Sequence, residues 1–291
     1  MRKHLLLPVF LLLVLPAFAQ SKSKPVAAKP VTYDLADAIA KKLVALDIRG
    51  TGGHQGECLK VVCRNLRGQM LRLRIPQGQL LEPVDSSMQT LVVVEGRELM
   101  VTAKSPAEVL LSTFCTQAGD RSPTAGSPFA LGALAAENLR ALLQFIVEKG
   151  KAGDGDAQNA VWCITNQSPI GSIADPALAN FTAKLLNKKL PGYTIKYHNT
   201  VTQPGERAGL GPALVVEGNY QFVLARDEKI SLVLYDAAGK QVKVLRKDEL
   251  MKAGEHRSSL RLQVYNLTPG RYFVRLEKPD KEMIKEIEVE F

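Results

Sequence analysis

The chain has one tryptophan, Trp162, in 291 residues, and no apolar run beyond residue 19 long enough to cross a bilayer. The second absence excludes a transmembrane helix once the N-terminus is removed. There is no His-Glu-x-x-His helix and no close pair of histidine ligands, which excludes the common zinc hydrolase pattern. A Gly-x-Ser-x-Gly elbow is also missing. The one glycine-rich loop, Arg49-Gly-Thr-Gly-Gly-His-Gln-Gly56, lacks the Lys and Ser/Thr of a phosphate loop and reads as a turn. Asp154 and Asp156 stand among glycines, without the further oxygen ligands of a calcium loop. No metal, no cofactor and no enzymatic activity are expected.

What is present begins with Met-Arg-Lys-His, an apolar stretch from Leu5 to Phe18, and small residues at Ala17 and Ala19. A basic start, a short apolar core and small residues before the cut predict a secretory signal peptide over 1–19. No cysteine sits at the cleavage site, so no lipid anchor is expected there. Residues 20–33, led by a Ser/Lys/Pro/Ala stretch to Pro30, read as a flexible tether. About 260 residues remain, which suggests two domains.

The formal charge of +9 falls to about +7 when Arg2 and Lys3 leave with the signal peptide. Lys and Arg are scattered among Asp and Glu, which reads as a solvated surface rather than a nucleic-acid face. The expected partner is an unidentified surface or envelope component.

There are four cysteines, Cys58, Cys63, Cys115 and Cys163. Export permits disulfides. Cys58 and Cys63 share one apparent strand, roughly 17 Å apart and on opposite faces, so they do not pair with each other if that strand is continuous. A disulfide would have to reach across, for example to Cys115 or Cys163; buried free thiols are the alternative.

Asp34–Leu46 has the apolar spacing of a short amphipathic helix. Strand signals follow at Leu59–Cys63, Met70–Ile75, Thr90–Val94, Leu99–Thr102 and Val109–Phe114, which predicts an antiparallel sandwich or barrel. Phe129–Lys149 reads as a helix of about 20 residues. Asp156 is a candidate N-cap for a second helix carrying Gln158–Ile164, and Asp175-Pro176 opens a third. Tyr193–Tyr197 reads as a closing strand. Residues 199–212, rich in Gly and Pro, read as an interdomain linker. Short strands then run to the end, with a hairpin signal at Asp236-Ala-Ala-Gly239. The fold class is mainly β with an α insert. An antiparallel β-sandwich with a helical insert is expected over 34–198, and an immunoglobulin-like sandwich over 213–291.

Two stretches carry resemblances. Ile230-Ser-Leu-Val-Leu-Tyr-Asp-Ala-Ala-Gly-Lys-Gln-Val, Ala253-Gly-Glu-His and Leu267-Thr-Pro-Gly-Arg-Tyr-Phe-Val-Arg-Leu276 resemble the immunoglobulin-like C-terminal modules of secreted Bacteroidota proteins. Those include the type IX secretion sorting domain and the flagellar-hook-cap-like module. The resemblance implies export and surface attachment. The acidic close, Lys285-Glu-Ile-Glu-Val-Glu-Phe291, departs from the basic ending usual in that group.

Gln158-Asn159-Ala160-Val161-Trp162 is similar to the Gln-x-Ala-Ile-Trp signature of the thioester domains of bacterial surface adhesins. In that family a cysteine thiol and a glutamine side chain condense to an internal thioester. The resemblance makes Gln158 the acyl donor and Cys115 the candidate sulfur. Cys163, five residues on, lies more than a helical turn away. Trp162 is equally a core anchor.

The reading is of an exported, non-catalytic envelope or surface protein acting as a binding module. A covalent adhesin using Cys115 and Gln158 is the first alternative. A cysteine hydrolase, pairing Cys115 with His198 or His256, is the second.

Overall fold

The computed structural model describes residues 30–198 and 203–291. The expected signal peptide and most of the expected tether lie outside the described residues. The first half runs β1 (Val31–Asp34), α1 (Leu35–Ala40), β2 (Val44–Gly50), β3 (Gln55–Asn65), β4 (Leu71–Ile75), β5 (Gln79–Pro83), β6 (Leu91–Val93), β7 (Arg97–Val101), β8 (Ala107–Cys115) and β9 (Pro128–Leu134). A helical layer follows: α2 (Glu137–Glu148), α3 (Gly155–Thr165), a 3-10 turn at Ile170–Ser172, and α4 (Pro176–Leu185). The remainder is β10 (Tyr193–Tyr197), β11 (Ala213–Leu224), β12 (Glu228–Asp236), β13 (Gln241–Met251), β14 (Gly254–Gln263), β15 (Arg271–Glu277) and β16 (Met283–Glu290).

The chain is mainly β with a few helices, as expected, and the first part closes on itself. Strands β2-β3-β8-β6-β5-β9 form a closed barrel, and β1-β4-β7 form a small sheet beside it. Three expectations need correction here. The expected tether over 20–33 loses its last three residues, because Val31–Asp34 pair in parallel with Leu71–Arg74. The helix expected over Asp34–Leu46 is only six residues long. Lys42 adopts φ 52°, and Val44–Gly50 then pairs with β3. The helix expected from Phe129 begins at Glu137, because Pro128–Leu134 is a strand. Phe129 and Leu131 pair with β5, and Phe129 also pairs with Ile48 of β2. Barrel closure outweighs the helical spacing in both segments, since propensity is a weak guide against tertiary pairing.

Strand alternation assigns each side chain to a layer. From β6 and β8, Leu91, Val93, Leu111 and Cys115 fill the barrel core. Val92 and Phe114 point the other way and carry the helices, meeting Leu139, Leu142 and Leu143 of α2 and Val161 of α3. Trp162, 4% exposed, belongs to the barrel core although it sits on α3. The lone indole therefore bolts the helical layer to the barrel.

The C-terminal part is a two-sheet sandwich, β10-β11-β14 against β13-β12-β15-β16. Its hairpin between β12 and β13 forms where the Asp-x-x-Gly signal lies. Asp236 accepts from the Ala238 and Lys240 N–H groups, and Gly239 takes φ 78°, which favours glycine. β10 was expected to close the first domain. It pairs instead with β11, from Tyr193↔Gly218 to Tyr197↔Ala213, and places Ile195 in the sandwich core. The described part of the expected linker, 203–212, is pinned to the barrel by backbone bonds such as Ser122 N–H to Glu206 O (2.7 Å) and Gly119 N–H to Ala208 O (2.7 Å).

Candidate functional site

The site forms where the helical layer meets the end of β8. Helix α3 starts at a polar turn. Asp154, not Asp156, is its N-cap: the Asp154 carboxylate accepts from the Asp156 N–H at 3.0 Å. Asp156 lies inside the first turn and is used otherwise. Its two oxygens accept from the Ala174 and Asp175 N–H groups, at 3.2 and 2.8 Å, tying the following loop to the helix. The third helix starts as expected, with Asp175 accepting from Leu178 N–H (2.9 Å) and Pro176 in its first turn.

Gln158 and Trp162 are one turn apart, so both face the barrel. Gln158 is 2% exposed. Its carboxamide docks on the main chain of Cys115, 43 residues away. Cys115 N–H donates to Gln158 Oε1 at 3.0 Å, and Gln158 Nε2–H donates to the Cys115 carbonyl at 2.8 Å. These bonds satisfy two backbone groups at the last residue of a strand, where the sheet no longer does so. The two residues that the thioester resemblance names are thus in contact.

The walls are apolar. Cys115 has no exposed surface, and Leu111, Trp162 and Ala208 share its cluster. Burial pushes the Cys115 thiol well above its ordinary pKa, so it stays protonated. Burial raises the Cys58, Cys63 and Cys163 thiols to about 11. All four cysteines are free and buried. β3 carries a bulge between Glu57 and Leu59, so Cys58 and Cys63 both turn inward, which continuous alternation does not allow. Sequence spacing alone carries no sign of that bulge.

One side of Gln158 borders a cavity of about 620 Å³. Its other walls include His54, Asn159, Tyr197, His198 and the strap residues Gly209–Gly211. His54 and the strap are the components that sequence reasoning missed, because they lie in loops read as a turn and a linker. Of the two histidines named as partners for Cys115, His198 borders the cavity. His256 lies on β14, stacked on Phe222 with ring centroids 5.0 Å apart, within the sandwich.

Residues 217–290 match the secretion system C-terminal sorting domain family. The match begins inside β11 and ends at the last residue of β16, so it covers nearly the whole sandwich. The chain therefore carries a type IX secretion signal, which makes it an exported protein, secreted or held at the surface. No curated protein matches the chain.

Proposed function

We propose that this exported protein bonds covalently to a surface partner through an internal thioester between Cys115 Sγ and Gln158 Cδ. The observation that carries the reading is the clasp of the Gln158 carboxamide on the Cys115 main chain. A surface binding module needs no such pairing.

The chemistry follows from the clasp. Cys115 Sγ adds to Gln158 Cδ, and negative charge builds on Oε1. The Cys115 N–H, already 3.0 Å from Oε1, stabilises that charge. Nε2 leaves as ammonia with the thiol proton, and the acyl group remains on sulfur. On the barrel side the apolar walls, with Cys115 and Ala208 at most 1% exposed, exclude water, and the cavity on the other side of Gln158 admits the nucleophile. A nucleophile on the partner then takes the acyl group and returns the thiol. The C-terminal module exports the chain, and the barrel with its helical layer supplies the bond.

Intact mass spectrometry of the purified, non-reduced protein tests this. The protein should weigh about 17 Da less than its sequence and take up one methylamine. Cys115→Ser and Gln158→Ala should have full mass and take up none. A wild-type protein at full mass and inert to methylamine leaves the non-covalent binding module as the reading.

A further inference from the structure

We propose that His54 is the base that activates the acceptor nucleophile for attack on the Cys115–Gln158 acyl group, a step that rests on the thioester reading and adds a residue to it. Gln158 and His54 border the same cavity of about 620 Å³. Its lining is largely polar, with His54, Gln55, Asn159, Ser172 and His198 among the residues that border it. A cavity with these polar walls suits a polar molecule beside the Gln158 side chain.

An amine or hydroxyl nucleophile must lose a proton as it attacks. The titratable groups bordering the cavity are His54, Asp154, Asp156, Tyr197 and His198. Asp154 caps α3 and faces Lys151 Nζ at 3.8 Å. Both Asp156 oxygens hold the 174–175 backbone. Burial raises the Tyr197 pKa, so it remains a neutral phenol and a donor. His198, at the end of β10, is exposed to solvent. His54 is half-buried, and no hydrogen bond or ion pair among the described residues occupies its ring. It follows Gly52 and Gly53, whose φ values of 107° and 95° set a turn that other residues rarely adopt. Burial also holds its pKa below the ordinary histidine value, so the imidazole is neutral and able to accept a proton near pH 7.

In the proposed step an amine nitrogen bonds to Gln158 Cδ as the Cδ–Sγ bond breaks. His54 takes the proton from nitrogen and passes it to the departing Cys115 sulfur. The products are an amide on Gln158 and a free Cys115 thiol, and the imidazole is regenerated.

The test measures methylamine uptake by intact mass at fixed pH in full-length wild type, His54→Gln, His54→Ala and His256→Gln. His54→Gln should keep the mass deficit of about 17 Da but react at least tenfold more slowly, since general bases contribute about 10²–10⁴-fold. Imidazole should restore the rate of His54→Ala, and His256→Gln, on β14 of the sandwich, should match wild type. If the deficit persists and His54→Gln reacts at the wild-type rate, the role of His54 is overturned while the thioester stands. If His54→Gln folds, by its melting curve, but lacks the deficit, His54 acts in ring closure and the proposal as stated fails. A wild type without the deficit removes the thioester itself.

Discussion

The Tyr193 hydroxyl accepts the backbone N–H of Glu290 at 2.9 Å, joining the strand that leaves the helical layer to the last strand of the chain. Ile195, two residues on, is 5% exposed and packs with Val216 and Leu262. The sorting module thus borrows an edge strand from upstream of its family boundary at 217. A fragment starting at 191 is expected to be more stable than one starting at 213, which exposes the β11 edge. Within the full chain, Ile195→Ala should cost about 2–5 kcal/mol, and Tyr193→Phe about 0.5–1.5 kcal/mol. Chemical denaturation measures all three. Equal stability of the two fragments would show that β10 is dispensable to the sandwich.

The strap at 203–212 has a plugging role that its composition does not suggest. Ala208 is 1% exposed and sits in the barrel cluster with Cys115 and Trp162. A Cβ on Gly211 would lie 2.4 Å from the His198 carbonyl oxygen. Ala208→Leu and Gly211→Ala should each displace the strap, with a cost of about 1–3 kcal/mol for the overpacked variant. Trp162 is the only indole, so its emission reports this site alone. A red shift in both variants is expected, and unchanged emission would mean that the strap does not seal the barrel.

Legibility in the sequence varied with the kind of signal. The alternating Leu71–Ile75 and the Asp-Pro opening of α4 were readable because local residues determine them. The choice between sandwich and barrel was not, because closure depends on Pro128–Leu134 reaching β5 and β2, and Leu131 and Leu134 also fit a helical stripe. Gln158 and Cys115 were legible only through a short motif, since nothing in their spacing dictates contact across 43 residues. His54 and the strap lie in segments whose Gly and Pro content signals a turn or linker equally well. For the strap the outcome is set by long-range bonds to residues 119–122.

Asp175 offers a test with a defined pH sign. Its carboxylate caps α4 and meets Lys151 Nζ at 2.6 Å. The Lys151 hydrogen bond, then the Leu178 N–H, hold its pKa below the ordinary aspartate value. A depressed folded-state pKa gives stability that is present above the unfolded value and lost as pH falls through the folded one. Asp175→Ala should therefore cost about 1 kcal/mol at pH 7, mostly as lost capping. The ion pair adds less than about 1 kcal/mol because both side chains are partly solvated. The difference from wild type should shrink below about pH 4, the unfolded aspartate range. Melting curves from pH 3 to 7 decide it, and a difference independent of pH would assign the effect to helix propensity.

Gln158→Glu, made in a Cys115→Ser background so that no thioester enters, probes the clasp by itself. A neutral glutamic acid reproduces both bonds: its O–H donates to the residue-115 carbonyl and its C=O accepts the N–H. The carboxylate keeps only the acceptor role, sets a negative charge against a carbonyl oxygen, and is buried where wild-type Gln158 is 2% exposed. The folded-state pKa must therefore lie above the unfolded glutamate value of about 4.3. A raised folded pKa gives stability that is complete below the unfolded value and lost as pH rises through the folded one. Relative to the Cys115→Ser parent, the double variant should melt at nearly the same temperature at pH 4 and progressively lower toward pH 8. A constant offset would mean that the side chain escapes to the cavity as a solvated carboxylate. The Gln158–Cys115 clasp would then be too weak to hold an acyl donor against the thiol.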